Sequence, residues 1–266
     1  MRQRAFGVLL FCALCAALGF LTLPIVAVFV DTAPGELVRS LGEPEALDAL
    51  WLSLRTSLAA LAIIVVVGTP AAYLLATRSF RGRALVLTLI ELPLVLPPAV
   101  AGIALLAAFG PKGLFGAALE DAGVQLVLQT AGVIVALIFV ASPFYIRQAQ
   151  AAFAAVDRML LEAARTLGAS EARAFVRVAV PCAGQGITAG LALAWGRALG
   201  EFGATLMFAG SFPGITETVP LAIFSRFSTD FTAALALSAV LVIVSAALLL
   251  SVKLLGRFPL LGGQAV

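Results

Sequence analysis

The most unusual side chains for chemistry are two opposite charges within a long apolar stretch of the sequence. Arg197 and Glu201 lie four residues apart, so on a helix they share one face and can form an ion pair. An isolated charge at the centre of a bilayer costs at least ~2.5 kcal/mol, and pairing reduces this cost. If the stretch crosses a membrane, the pair either fixes the packing of a helix or lines a path that an anion crosses.

Catalysis by the chain itself is not indicated. The 266 residues contain no histidine, which excludes hydrolases that need an imidazole base and most zinc sites. Cys12 and Cys15 form a C-x-x-C motif, but they lie in an apolar stretch, and Cys182 makes the cysteine count odd. The sequence also lacks the G-x-x-x-x-G-K-[ST] phosphate loop, so we expect no bound cofactor and no ATP hydrolysis by that route.

The composition is that of an integral membrane protein. Hydrophobic residues make up 62% of the chain and charged residues 12%, whereas a soluble domain has about half and roughly a quarter. Apolar runs of about 20 residues can cross a bilayer as helices. The predicted spans are residues 5–30, 57–76, 85–109, 126–145, 183–210 and 232–255. We therefore predict an all-α membrane fold with six transmembrane helices, in which residues 1–266 form a single domain.

The distribution of basic residues predicts the orientation of these helices. With the N-terminus placed in the cytosol, twelve Lys and Arg residues fall on the cytosolic side and four fall outside. This asymmetry follows the positive-inside rule and predicts that both termini are cytosolic. It accounts for the net charge of +3 without an anionic partner, and no basic stretch has the aromatic interleaving typical of nucleic-acid binding. The outer loop at residues 31–56 is predicted to contain a short surface helix that ends near Trp51.

The predicted cytosolic loop at residues 146–182 has the signals of a helix, a sharp turn and a second helix. Asp157 can cap the first helix, and Gly168 can end it in the left-handed conformation that glycine tolerates. Ser170 can cap the second helix, which is expected to stop before Pro181 because proline lacks the N–H needed to extend it. The loop should therefore form a compact helical hairpin outside the bilayer.

The residue pattern of this loop resembles the EAA loop of ABC importer permeases, which forms a coupling helix on the cytosolic side. Within residues 157–181, the resemblance is carried by Glu162, Ala163, Ala164, Gly168 and, after Val178-Ala179-Val180, Pro181. The small alanines would let a partner surface approach closely, and the glutamate would offer it a carboxylate. A helix that only decorates the cytosolic surface is the alternative interpretation.

The resemblance implies the architecture of a type I ABC importer permease in the plasma membrane of a bacterium or archaeon. It implies a homodimer, two ATP-binding cassette subunits that use ATP and dock on the coupling loop, and an extracytoplasmic solute-binding protein. Nucleotide-driven closure of the ATPases would rock the spans between inward-open and outward-open states. An ion-coupled secondary transporter or a channel would share the spans but would leave the coupling loop unexplained.

A longer stretch around the charge pair resembles molybdate permeases. It covers residues 196–210, continues at Pro213-Gly214 and extends over residues 219–223. The resemblance implies a permease subunit that moves molybdate or a related oxyanion into the cytoplasm and has no enzymatic activity of its own. Sulfate and tungstate permeases share its Leu-Gly-Glu-Phe-Gly core, so both oxyanions are alternative substrates.

Two further patterns bear on a membrane pathway. Pro93, Pro97 and Pro98 remove three backbone donors from the third span, which predicts a kink or local unwinding that either lines the pore or serves packing. On the fifth span, small residues recur every four positions, at Thr188, Ala192, Gly196, Gly200 and Ala204. Such a stripe lets helix backbones approach closely, within one subunit or across a dimer.

Overall fold

The computed structural model describes residues 2–255 apart from 33, 34, 36–38, 40 and 41, and every regular element in this part of the chain is helical. The helices are α1 (Arg2–Asp31), α2 (Pro44–Thr77), α3 (Arg83–Val95), α4 (Pro98–Phe109), α5 (Gly116–Asp121), α6 (Thr130–Ala154), α7 (Arg158–Thr166), α8 (Glu171–Ala174), α9 (Val180–Cys182), α10 (Gly184–Leu199), α11 (Gly203–Ala209), α12 (Val219–Phe227) and α13 (Phe231–Leu255). A π-helical turn, Phe175–Ala179, connects α8 to α9. The predicted all-α fold is confirmed.

Four of these helices, α1, α2, α6 and α13, are long and apolar enough to cross a membrane individually. Two bent pairs provide further candidates: α3 with α4, bent by 119°, and the helical segment from α8 to α9 with α10, bent by 74°. The predicted total of six crossings is reached only if each bent pair counts as one span. Helix α1 exposes most of its apolar side chains, as expected for a helix that faces lipid.

The second crossing begins earlier than predicted. Helix α2 is continuous from Pro44 through Trp51, so the predicted short surface helix that ends near Trp51 is wrong. No Gly or Pro interrupts residues 45–57, and a proline suits the first turn of a helix. These early turns also bury one face, on which Ala46 and Ala49 pack against α12 and α13. Burial against elements that are distant in sequence therefore extends the helix.

The prediction that the second helix of the cytosolic loop stops before Pro181 is also wrong. The chain remains helical through Pro181 to Cys182. In the preceding π-helical turn, the Val180 N–H donates to the Phe175 carbonyl in an i→i+5 hydrogen bond. This wider turn changes the backbone spacing just before the proline ring, which would clash with the carbonyl four residues earlier in a regular α-helix. The bend comes instead at residue 183, before α10 begins.

Helices α2, α6 and α10 form the main core of the molecule. Tyr145 on α6 is fully buried, and its hydroxyl lies 2.6 Å from the hydroxyl of Thr69 on α2. Gly68 lets the helices approach, because a Cβ added there would lie 3.0 Å from the Tyr145 ring. On the other side, a Cβ on Gly190 of α10 would lie 3.1 Å from Cβ of Gln148. Small residues thus replace the hydrophobic drive that is absent between helices in lipid.

Part of the small-residue stripe on α10 packs within the chain. Gly196 faces Leu249 of α13, since a Cβ added at the glycine would lie 3.8 Å from that side chain. Ala192 is buried beside the same helix, with a small cavity between α10 and α13. Ala204, which the break after Leu199 moves onto α11, is fully buried against α4. These three positions therefore serve packing inside one subunit.

Helices α4 and α11 pack closely against each other. A Cβ added at Gly102 of α4 would lie 2.5 Å from Cβ of Met207 and 2.8 Å from the carbonyl oxygen of Ala204. A Cβ on Gly203 would lie 2.6 Å from Cβ of Pro98. All three distances are shorter than real Cβ contacts, so this close contact requires glycine at both positions.

Replacing Gly102 by alanine should therefore lower the thermal stability of the detergent-solubilised protein. Overpacking of this kind costs about 1–3 kcal/mol, because backbone on two helices has to shift. The matched control is Gly19→Ala in α1, where an added Cβ meets nothing within 4 Å. Equal denaturation midpoints for the two variants would show that α4 and α11 do not pack this closely.

Candidate coupling loop and membrane pathway

The loop predicted to be cytosolic folds as the expected helical hairpin. The Asp157 carboxylate accepts a hydrogen bond from the Met159 N–H at 2.9 Å and caps α7. The Ser170 hydroxyl accepts from the Arg173 N–H at 3.3 Å and caps α8. Gly168 lies between the two helices with φ of +84°, a conformation that side chains with a Cβ rarely adopt. Each cap satisfies backbone N–H groups that would otherwise lack partners.

The exposed face of this hairpin is partly apolar. Leu161 is buried and holds α7 against the body, whereas Glu162 and Ala163 are exposed. Ala164 is partly buried against the protein's own core, so the two predicted alanines have different surroundings. Leu167 is 88% exposed, and this position did not emerge from sequence reasoning because it precedes the turn glycine rather than matching the motif. A partner protein could cover this apolar side chain.

The hairpin is tied to the C-terminal ends of α2 and α6. Rings of Tyr73, Phe153 and Phe175 form a cluster with centroid distances between 4.7 and 6.0 Å. The Arg78 guanidinium also donates to the Glu171 carboxylate at 3.3 Å, although both groups are well exposed and the pair contributes little energy. Aromatic packing is therefore the main attachment, and it links the hairpin to two continuous helices.

The fifth predicted span is interrupted at residues 200–202, where the charge pair lies. Glu201 is 1% exposed, and its Oε2 lies 2.5 Å from a terminal nitrogen of Arg197. Its other oxygen, Oε1, accepts a hydrogen bond from the Ala204 N–H at 2.7 Å. The predicted ion pair is present, and sequence reasoning missed the bond to the backbone. Glu201 therefore neutralises the arginine and satisfies a donor at the start of α11.

Arg197 is the more accessible member of the pair, with 27% of its side chain exposed. Gly200 follows α10 directly and adopts no left-handed conformation, and a Cβ added there would meet only the Gly196 carbonyl oxygen at 3.6 Å, so nothing in the described part of the chain requires a glycine here. An exposed guanidinium beside an interrupted helix can present donors to an anion, while the buried carboxylate keeps the site close to neutral.

The third predicted span is interrupted in the same region. Pro93 lies inside α3, Pro97 caps α4 and Pro98 is the first residue of α4. The predicted break is confirmed, and it is sharp. Pro98 contacts Gly203, so the break in the third span lies against the break in the fifth. Irregular backbone at membrane depth has to face protein or water, and here each break covers part of the other.

A second group of charges lies where α12 meets the start of α2. Arg226 on α12 pairs with Glu43 and, at 3.0 Å, with Glu45 at the start of α2. The hydrogen bond with Glu43 raises the pKa of Arg226 further above its usual range. Ser211 and Ser225 donate to the carboxylate of Glu217 at 3.2 and 3.1 Å. These contacts connect the segment after α11 to the first turn of α2.

Comparisons with known proteins identify the class of this chain. Residues 64–258 match the family described as "Binding-protein-dependent transport system inner membrane component". The molybdenum transport system permease protein ModB of Mycobacterium tuberculosis is 40% identical over 89% of this chain and 90% of its own length. A probable molybdenum ABC transporter permease protein of Haloferax volcanii is 41% identical over 89% of this chain and 86% of its own length.

The fold agrees with this match. A chain in the crystal structure of a bacterial alginate ABC transporter, in complex with alginate pentasaccharide-bound periplasmic protein, superimposes with a TM-score of 0.76. It covers 96% of this chain and 95% of the alginate transporter chain at 18% sequence identity, which speaks for the fold alone. The predicted resemblance is confirmed: the protein is a multi-pass membrane permease rather than an enzyme, and it belongs to the family of inner membrane components of binding-protein-dependent transport systems, the permeases of ABC importers.

Proposed function

We propose that this chain forms the pathway through which an ATP-driven importer carries molybdate, or the closely similar tungstate, into the cytoplasm by alternating access. One observation carries the proposal. The stretch that resembles molybdate permeases contains the helix break at residues 200–202. Arg197, just before this break, is partly accessible, and its charge is balanced by the buried carboxylate of Glu201. The two relatives named for molybdenum transport, at 40% and 41% identity, support this substrate over sulfate.

Arg197 suits a tetrahedral oxyanion because its guanidinium presents a planar fork of donors. The buried Glu201 already occupies part of that fork, so an arriving anion shares the arginine with a carboxylate. Such a contact is weak. A transport pathway needs a site that is favourable enough to enter and weak enough to leave, and a charge-balanced arginine meets both conditions.

The proposed working unit is a homodimer of this chain with two ATP-binding cassette subunits and an extracytoplasmic solute-binding protein. The ATPase subunits dock on the coupling loop, residues 157–181, where Glu162, Ala163 and Leu167 are exposed. ATP is bound by those subunits, and this chain binds no cofactor. Both termini lie in the cytosol with the loop, in agreement with the excess of basic residues on that side.

Molybdate uptake by proteoliposomes that contain the full complex tests the substrate. About 100-fold excess of tungstate should lower uptake of labelled molybdate by about 100-fold through mass action, because the two anions have nearly the same size and charge. Sulfate, which is smaller, should lower uptake less than about twofold at the same excess. Competition by sulfate as strong as that by tungstate would contradict the substrate assignment.

Substitutions in the coupling loop test the link to ATP. Glu162→Arg should abolish ATP-driven uptake because it reverses the charge offered to the partner. Gly168→Pro should do the same, since proline cannot adopt the observed φ of +84°. Gly168→Ala should have an intermediate effect, because alanine tolerates this conformation at a cost of about 1–2 kcal/mol. Uptake and membrane insertion are measured separately, and insertion should be unchanged.

Two results would contradict this coupling role. One is uptake that persists when the ATPase subunits are omitted, which would favour a channel or an ion-coupled transporter. The other concerns Leu167→Cys in a variant without native cysteines, and it is labelling of this cysteine by a membrane-impermeant thiol reagent only when the reagent is added outside the cell. The reagent should reach it only from the cytosolic side.

A double substitution separates the two interpretations of the charge pair. Arg197→Gln should destabilise the protein by about 3–5 kcal/mol, because it leaves the buried carboxylate of Glu201 without its partner. Adding Glu201→Gln removes that charge and should restore the denaturation midpoint. If Arg197 contacts the anion, the double variant is stable but remains inactive in molybdate uptake. Recovery of both stability and uptake would assign the pair to packing alone.

A further inference from the structure

Helix α3 is attached weakly to the rest of the molecule. None of its residues is buried, although it lies in an apolar segment. Gly82, with φ of +87°, precedes it, and the sharp bend before α4 follows it. Within the part of the chain that the structure describes, two side-chain bonds link α3 to other elements. Arg83 donates to the Leu75 carbonyl at 3.0 Å, and Glu91 forms an ion pair with Arg147 on α6 at 2.8 Å.

The arginine of this pair lies on α6 close to the boundary at which the predicted fourth span ends and the predicted cytosolic loop begins. Arg147 is seven residues before the end of α6, which corresponds to about 10 Å along the helix. Its side chain is 48% exposed and that of Glu91 is 40% exposed. Charged groups in a span face the protein interior or water rather than lipid, since lipid exposure is costly. The surface around this pair is therefore expected to border a polar space.

Only some of the N–H donors of the Arg147 guanidinium have partners among the described residues. Its Nε pairs with Glu91, and one terminal nitrogen donates to the amide oxygen of Gln150 at 3.2 Å. The second terminal nitrogen has no hydrogen-bond partner among the described residues. The guanidinium can therefore accept a further anionic ligand, and a tetrahedral oxyanion would match its geometry.

Arg147 lies on the cytosolic side of Arg197. Gln148 is at the level of Gly190, because a Cβ on that glycine would contact it at 3.1 Å. Gly190 is seven residues before Arg197 on α10, so the two arginines are separated by about 10 Å along the helix axes. An anion that moves inward from Arg197 would thus reach the level of Arg147 next.

We propose that Arg147 is a second oxyanion contact and that Glu91 occupies it until the anion arrives. A tetrahedral dianion displaces the Glu91 carboxylate from the guanidinium, and α3 is thereby released from α6. The inference rests on the proposed function for the class of anion. The exchange costs little because both partners are half-exposed, and the arginine keeps a negative partner throughout. The flanking glycine and the bend let α3 move without loss of its internal hydrogen bonds.

Opposite changes in the kinetics of two variants test this exchange in the full complex. Arg147→Gln should raise the KM for molybdate by about tenfold, because charge-assisted hydrogen bonds are lost. Glu91→Gln should lower both KM and the maximal rate by several-fold, since the anion no longer competes with a carboxylate and leaves slowly. Arg81→Gln, an exposed arginine in the turn before α3, is the matched control and should behave like wild type. A purely structural pair would shift KM in the same direction in both variants, which would overturn the proposal.

A reducible cross-link between α3 and α6, formed by a bifunctional thiol reagent long enough to span the two replaced side chains, provides an independent test if a neutralised variant folds poorly. Glu91→Cys and Arg147→Cys are combined in a background with Cys12, Cys15 and Cys182 replaced by serine. Cross-linking should abolish the molybdate uptake that the unlinked cysteine variant retains, and a reductant should restore it. Uptake by the cross-linked complex at the rate of the reduced complex would overturn the release of α3. If the wild-type complex fails to take up molybdate, the proposed function itself is wrong; if wild type transports and only these tests fail, the second contact is wrong.

Discussion

The structure depends on how backbone polar groups are satisfied where two apolar segments stop being helical. Water is absent from the core of a bilayer, so a free N–H or C=O there costs several kcal/mol unless protein or a water-filled cavity covers it. The break at Pro98 lies against the break that precedes Gly203, and the glycine at position 102 lets the adjoining helices touch. The buried carboxylate of Glu201 then accepts the N–H of Ala204. Each interruption is tolerated because the other one, or an ion pair, lies beside it.

The permease therefore contains two kinds of membrane helix: helices that are continuous and helices that are interrupted by a break. Helices α2 and α6 run without a break, share the largest core, and hold the coupling loop through the cluster of Tyr73, Phe153 and Phe175. The pairs α3–α4 and α10–α11 contain the breaks, together with Glu91, Arg197 and Glu201. In the proposed transport cycle, the ATPase subunits displace the coupling loop, and the continuous helices move with it as one unit. The interrupted helices change their angle at the breaks, where helical hydrogen bonds are already absent. Alternating access requires both kinds of element.

Sequence alone predicted the features that depend on neighbouring residues. The caps at Asp157 and Ser170 need only a side chain and the adjacent backbone, and the break at Pro97 follows from donors that proline lacks. The early turns of α2 were missed because their buried face is defined by α12 and α13, far away in the sequence. The hydrogen bond from the Ala204 N–H to Glu201 was missed as well. Helical spacing predicts the ion pair of Arg197 with Glu201, but it does not predict that the helix ends between these two residues and leaves the Ala204 N–H to bond with the carboxylate. The first miss therefore reflects a long-range contact, whereas the second concerns a bond between residues only three positions apart at a helix end that the sequence does not mark.

An importer of a doubly charged anion benefits from arginines that already have carboxylate partners. An unpaired guanidinium at membrane depth would bind a dianion tightly, and tight binding slows release. Arg197 and Arg147 lie 2.5 and 2.8 Å from carboxylates, so an arriving anion competes with an existing partner, and the net gain is a difference between two similar interactions. The two carboxylates differ in freedom. Glu201 is 1% exposed and bound to backbone, so it stays in place, whereas Glu91 is 40% exposed on a helix with a joint at each end. In the proposed pathway, the anion therefore shares the outer arginine and fully exchanges partners at the inner one, which favours movement toward the cytosol once the inner helix is released.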